Sequence, residues 1–160
     1  MIWIKVLRKK SCAYTGRKRK GRVMGDAADD VVAKRSPYEL IGGAEAVRRL
    51  ADKFYDLMDQ DPSYRALRDM HEPDLAPMRD SLAGFFAVWL GGPRDWVEKR
   101  GGFCIMSRHA QMGVTNETAA QWMDAMRRAI AALETPPELA EKMDQALAPL
   151  AEAMVRRAKA

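Results

Sequence analysis

Cys12 and Cys104 are the only thiols in 160 residues, too few for a disulfide framework, a cysteine-rich zinc module or an iron–sulfur cluster. Reduced thiols in a cytoplasmic protein are the simplest expectation. No apolar run approaches the roughly 18 residues that a membrane-crossing helix needs. Alternation of apolar and polar residues is missing over any useful length, which argues against β-structure. Histidine is scarce: His71 and His109 are the only two, and neither sits in a zinc spacing such as H-E-x-x-H. A phosphate loop of the G-x-x-x-x-G-K type and a nucleophile elbow are also missing, so nucleotide-binding and hydrolase readings lack positive support.

Acidic residues are absent from positions 1–23, where nine basic side chains are concentrated. The formal net charge of +5 therefore belongs to this arm, and residues 24–160 carry 18 basic against 22 acidic groups. A mildly acidic body argues against a folded nucleic-acid-binding surface. The first ten residues lack the apolar core of a secretory signal. Residues 1–35 read as a disordered basic N-terminal extension and 36–160 as one folded domain. Its length and a hydrophobic content of 48% allow a real core.

What the body does contain is a succession of amphipathic helices punctuated by glycine pairs. Ser36-Pro37-Tyr38-Glu39 is a capping box with proline at the first helical position, and Gly42-Gly43 must stop that helix. A second helix over about 44–59 places Val47, Leu50, Phe54 and Leu57 on one face, with Tyr55 at its edge. Asp61-Pro62 opens a shorter helix ending near Met70 and His71. Asp74 is the expected cap of a helix over about 75–90, striped by Met78, Leu82, Phe85 and Trp89 with Phe86 beside them, and Gly91-Gly92-Pro93 ends it. A turn or two of helix over 94–100 and a short helix around His109 follow. Asn116 is the expected cap of a helix over about 117–134, striped by Trp122, Met126, Ile130 and Leu133. After Pro136-Pro137 comes a last helix over about 138–158, striped by Met143, Leu147, Leu150 and Met154, with a kink expected at Pro149. The fold class is all-α.

The stripes are rich in Met, Phe and Trp. Such a stripe builds either a soft, polarisable core or a slot for a large, flat, apolar cofactor. His109, near a helix end, is either structural or a ligand.

Several motifs recur in a familiar order. Tyr38-Glu39-Leu40-Ile41-Gly42-Gly43 is followed by Arg48–Met58 with Phe54-Tyr55 at its centre, then Trp89-Leu90-Gly91-Gly92-Pro93, then Ser107-Arg108-His109-Ala110, then Trp122 thirteen residues after His109. Residues 37–133 in this order resemble a truncated haemoglobin of the second group. The resemblance implies a truncated globin-like sandwich of two helices over two, holding protohaem edge-in. It implies His109 as the axial iron ligand, with its near ring nitrogen donating to a backbone carbonyl. Tyr55, His71 and Trp122 would face the diatomic ligand, a hydrogen-bond acceptor that a phenol O–H and an indole N–H can serve. Phe54, Met78, Leu82, Phe85, Phe86, Trp96, Arg108, Met112 and Met126 would line the haem.

The departures from the family pattern cluster at the haem edge. Met78 puts a long side chain where a small one usually lines the distal entry. Ser81 replaces a basic partner for a propionate and Trp96 replaces a tyrosine, leaving Arg108 as the plain member of the carboxylate clamp, with Lys99 or Arg100 as substitutes. Phe103 and Gln111-Met112 also differ. The expected activity is reversible binding of dioxygen, nitric oxide or carbon monoxide. The alternatives are haem-dependent cleavage of peroxide or oxidation of nitric oxide, served by an unidentified reductase, and a haem-free helical interaction domain. A monomer or homodimer with no nucleic-acid partner is expected.

Overall fold

The structure is a computed structural model that describes residues 35–99, 109 and 112–158. The basic arm, Arg100, Phe103, Cys104, Ser107, Arg108 and Gln111 lie outside the described residues. Every regular element among the described residues is helical: α1 Pro37–Ile41, α2 Gly43–Gln60, a 3-10 turn Pro62–Tyr64, α3 Arg65–Arg68, α4 Ala76–Trp89, α5 Asp95–Lys99, α6 Asn116–Ala132 and α7 Pro137–Ala158.

The start of the domain is fixed by local chemistry. The Glu39 amide donates to Ser36 Oγ at 3.2 Å and the Ser36 amide to Glu39 Oε2 at 2.7 Å, which satisfies two of the helix's orphan donors reciprocally. Gly42 ends α1 at φ +108°, a conformation that costs a side-chain-bearing residue dearly. The chain then turns straight into α2, which begins one residue earlier than the spacing predicts. The Tyr38 amide donates to Leu90 O at 3.0 Å and so ties α1 to the end of α4. There the Tyr38 ring lies so close to Gly92 that a Cβ would approach it to 2.6 Å.

Helix α2 is the central beam. Ala46, Val47, Leu50, Ala51, Phe54, Tyr55 and Met58 are all buried, each large apolar side chain contributing about 1.5–3 kcal/mol. α2 packs on α4 along one side and on α6 along another, and α6 packs on α7. Two helix pairs, α2–α4 and α6–α7, thus meet through α2 and α6, the sandwich of two over two. Met123, Met126, Ala129 and Ile130 of α6 close the core from beneath.

Four sequence expectations are corrected in detail. α6 is capped by Thr115, not Asn116: Thr115 Oγ1 accepts from the Thr118 amide at 3.1 Å and Thr118 Oγ1 accepts from the Thr115 amide at 3.0 Å. Threonine here takes the place of the usual Glu or Gln at the third helical position. Asp74 accepts from the Ala76 amide at 2.9 Å but stands one residue outside the cap position, held by Leu75. The buried face of α7 is Leu139, Met143, Leu147, Ala151 and Val155, with Leu150 and Met154 half-buried, because the face follows steps of four residues to the end of the helix. On α4 the fully buried side chain is Phe86, while Met78, Leu82, Phe85 and Trp89 are only half covered. That stripe packs against the core but stays half covered.

Candidate functional site

An aromatic chain runs beside this half-covered face. The Trp122 ring of α6 lies 5.7 Å from the Phe54 ring of α2, Phe54 meets Tyr55 edge-on at 5.0 Å, and Tyr55 meets His71 edge-on at 5.9 Å. Three of the four residues thus come from two long helices and the fourth from the segment after α3. The periodicity of α2 dictates the arrangement: consecutive residues point about 100° apart, so Phe54 fills the core and Tyr55 turns to its margin.

Burial pushes the Tyr55 hydroxyl up to about 12, while the Arg79 guanidinium pulls it the other way. The phenol is a protonated donor at any physiological pH. Arg79 is held in place by the Asp52 carbonyl at 2.8 Å and Asp56 Oδ1 at 2.7 Å, and its Cζ lies 5.8 Å from the centre of the Tyr55 ring. Neither the Tyr55 hydroxyl nor the Trp122 indole N–H donates to any acceptor among the described residues.

His71 is half-buried, and its Nδ1 lies 2.9 Å from the Leu67 carbonyl oxygen. A carbonyl only accepts, so Nδ1 carries the proton and the neutral ring leaves Nε2 with a bare lone pair. Burial holds His71 below the usual histidine range. The Leu67 carbonyl opposes that shift, and the charges of Arg68 and His109 reinforce it. His109 itself is helical and half-buried, and its carbonyl accepts from the Met112 amide at 3.1 Å.

The other expected lining residues divide into two sets. Phe54, Phe86 and Met126 are enclosed by protein, and Met78, Leu82 and Phe85 are half-buried on the open face. Phe85 and Trp89 stack at 6.2 Å with 22° between their planes, which gives that face a broad, flat surface. Met112 is 37% exposed. Trp96 lies against Gly84, where a Cβ would come within 2.2 Å of its ring. Ser81 donates its hydroxyl to the Pro77 carbonyl at 2.8 Å. A separate groove of about 520 Å³, lined by Arg49, Asp52, Lys53, Asp56, Ala132, Leu133 and Glu134, contains none of these aromatic residues, and its charged rim marks it as a wet surface feature.

Sequence reasoning missed Arg79, Gly84 and Gln121. A glycine inside an otherwise intact helical stripe was a readable signal for Gly84. Arg79 and Gln121 carried none, because their partners are far away in the chain.

The chain is similar to known proteins over most of its length. Residues 36–156 match the model of the family described as bacterial-like globin. The group 2 truncated haemoglobin YjbI of Bacillus subtilis is 32% identical over 95 residues, 59% of this chain and 69% of that protein. Among solved structures, the cold-adapted truncated haemoglobin of Pseudoalteromonas haloplanktis is 32% identical with a TM-score of 0.72, covering 76% of this chain and 98% of its own. The group II 2-on-2 haemoglobin of Agrobacterium tumefaciens is 31% identical with a TM-score of 0.72, covering 78% and 97%. The oxygen-avid truncated haemoglobin of Bacillus subtilis is 30% identical with a TM-score of 0.69, covering 76% and 99%.

Proposed function

The chain belongs to the bacterial-like globin family, within its group II truncated haemoglobins, and on that premise we propose that it holds protohaem through His109 and binds dioxygen tightly. Globins of this family contain haem and bind small ligands. Nitric oxide and carbon monoxide are the competing ligands.

The residues present fit the group. No three His, Cys, Asp or Glu side chains cluster as metal ligands among the described residues. His109 alone is too small a donor set for an ion held by protein only, but it suffices for an iron whose remaining in-plane donors come from a porphyrin. The half-covered face of Met78, Leu82, Phe85 and Trp89 offers flat apolar area for the macrocycle. When bound, haem would supply an iron able to take up a small diatomic ligand.

The observation that carries the reading is a pair of donors with no acceptor among the described residues. The Tyr55 and Trp122 rings flank the buried Phe54 ring, and neither the phenol O–H nor the indole N–H donates to a described residue. A hydrogen bond to a ligand carrying partial negative charge is worth about 1.5–3 kcal/mol. The two together slow ligand escape by roughly two to four decades. His71 plays a different part. In its neutral tautomer it presents a lone pair, so it accepts a proton-bearing group in the pocket and leaves donation to Tyr55 and Trp122. The oxygen avidity in the name of the Bacillus subtilis neighbour accords with a pocket of this kind.

A haemin titration of the full chain tests the reading. Stoichiometric growth of a Soret band, followed by a sharp ferrous carbon monoxide spectrum on reduction, is the expected result, and His109→Ala abolishes it. A chain that ignores haemin, or a His109→Ala variant that binds it unchanged, overturns it.

A further inference from the structure

We infer that Gln121 is a positioning residue for the ligand side of the site, setting the orientation of His71 through the backbone of Leu67, whose N–H and C=O it and His71 engage in turn. The functional consequence rests on the haem reading above; the structural part does not.

Helix α3 is four residues long, far below the length at which a helix holds itself together. Its first-turn amides have no intrahelical acceptors, and Leu67 is one of them. Leu67 is buried, so its N–H cannot turn to water. Gln121 Oε1 of α6 accepts it at 2.8 Å, 54 residues away in the chain. The carbonyl of the same residue accepts from His71 Nδ1 at 2.9 Å. Gln121, Leu67 and His71 therefore form one relay, with a rigid helix at one end and an imidazole at the other.

The other ties of this segment hold its backbone. Tyr64 donates to Asp124, and Arg128 bridges the Tyr64 hydroxyl and Asp61 at 2.7 Å each, which clamps the 3-10 turn to α6. Arg68 pairs with Asp59 at 2.8 Å, donates to the His71 carbonyl at 3.4 Å and donates to the Glu72 and Pro73 carbonyls at 3.1 Å. The Leu67 carbonyl also accepts from the Met70 amide at 3.2 Å. These fix the path of the loop. Gln121 ties α6 to Leu67, the residue whose carbonyl determines which imidazole nitrogen carries the proton.

Gln121 is also the chain neighbour of Trp122. One turn of α6 therefore sends Trp122 to the Phe54 ring and, through Gln121, sets the pose of His71 on the other side of Tyr55. The donor and the lone pair that flank Tyr55 are referenced to the same helix.

The test uses the ferrous carbon monoxide complex of the full chain. Nitrogen-15 NMR of the imidazoles is expected to show His71 as a single Nδ1–H tautomer in the wild type, with one C–O stretching band. Gln121→Leu is expected to give mixed tautomers and a second C–O band, and to change ligand release by roughly two- to tenfold, the effect of one ordinary hydrogen bond. Gln121→Glu keeps the acceptor oxygen and restores the single tautomer and band. In a His71→Phe background, Gln121→Leu changes release no further, as a shared relay requires. A lower melting temperature for Gln121→Leu with one tautomer, one band and unchanged release overturns the inference and leaves Gln121 a stability residue only. If the wild type binds no haem, the haem reading fails, and the tautomer measured on the haem-free chain decides the positioning role by itself.

Discussion

Replacing Tyr55 by phenylalanine separates folding from ligand retention, because the ring packs within the protein and the hydroxyl has the proposed role toward the ligand. The ring is buried, meets Phe54 edge-on at 5.0 Å and lies 5.8 Å below the Arg79 guanidinium. Phenylalanine keeps all of that. The hydroxyl donates to nothing among the described residues, so its removal breaks no hydrogen bond to them. Tyr55→Phe should therefore leave the stability of the haem-free chain within about 1 kcal/mol of the wild type's. Ligand retention should change far more. Loss of one donor worth about 1.5–3 kcal/mol accelerates dioxygen release by roughly 10- to 100-fold. Stopped-flow displacement of dioxygen by carbon monoxide reads the second quantity, and urea unfolding of the haem-free chain reads the first. Release as slow as in the wild type refutes the role of the hydroxyl. A large loss of stability shows that the hydroxyl serves the fold instead.

Three further outcomes follow from particular contacts. Gly84→Ala drives a Cβ to within 2.2 Å of the Trp96 ring and should cost about 1–3 kcal/mol in denaturant unfolding; equal loss in a Trp96→Ala background would show that the collision is not the cause. Arg79→Met removes the positive charge beside Tyr55 and should raise the phenol further above its value of about 12, read as a later phenolate transition in an ultraviolet alkaline titration, and an unchanged transition would contradict the electrostatic coupling. Asp61 is held down at about 2, below its ordinary 3.8, first by its hydrogen bond from Arg128 and then by those from Ser63. Its folded-state value is the depressed one, so its stabilising contribution is present above the unfolded value and fades as pH falls toward 2. Arg128→Met should therefore flatten the acid branch of the stability curve between about pH 4 and 2, and an acid branch as steep as the wild type's would count against this pair.

Much of the fold was legible because its determinants are local. The Ser36–Glu39 box and the Gly42 stop act over a few residues, and the stripe of α2 is a plain helical period that the burial of Val47, Leu50 and Phe54 follows. The cap of α6 was misread by one position, since Thr115 pairs with a threonine where a Glu or Gln is the readable sign. On α7 the alternatives Leu150 or Ala151 and Met154 or Val155 are one residue apart, and only the position of α6 decides which side faces inward. The stripe of α4 was found in the sequence, but not that it would stay half covered, because that depends on how α2 and the elements after it pack along α4.

The order of motifs singled out Tyr55, His71 and Trp122, and the structure sets them in one row, Trp122 against Phe54, Phe54 against Tyr55 and Tyr55 against His71. What the sequence could not show is how they are held. Arg79 reaches Asp52 across 27 residues and Gln121 reaches Leu67 across 54, distances at which neither spacing nor residue type predicts a partner. The tautomer of His71 belongs to the same class: it follows from one backbone carbonyl and is invisible until the chain is folded.

The central claim is that His109 is the sole protein ligand of a haem iron, and resonance Raman spectroscopy of the ferrous, ligand-free protein tests it most directly. The account predicts an iron–imidazole stretching band that shifts when histidine carries nitrogen-15, vanishes in His109→Gly and returns when free imidazole is added. A band that persists in His109→Gly, or its absence from wild-type protein saturated with haemin and fully reduced, would contradict it.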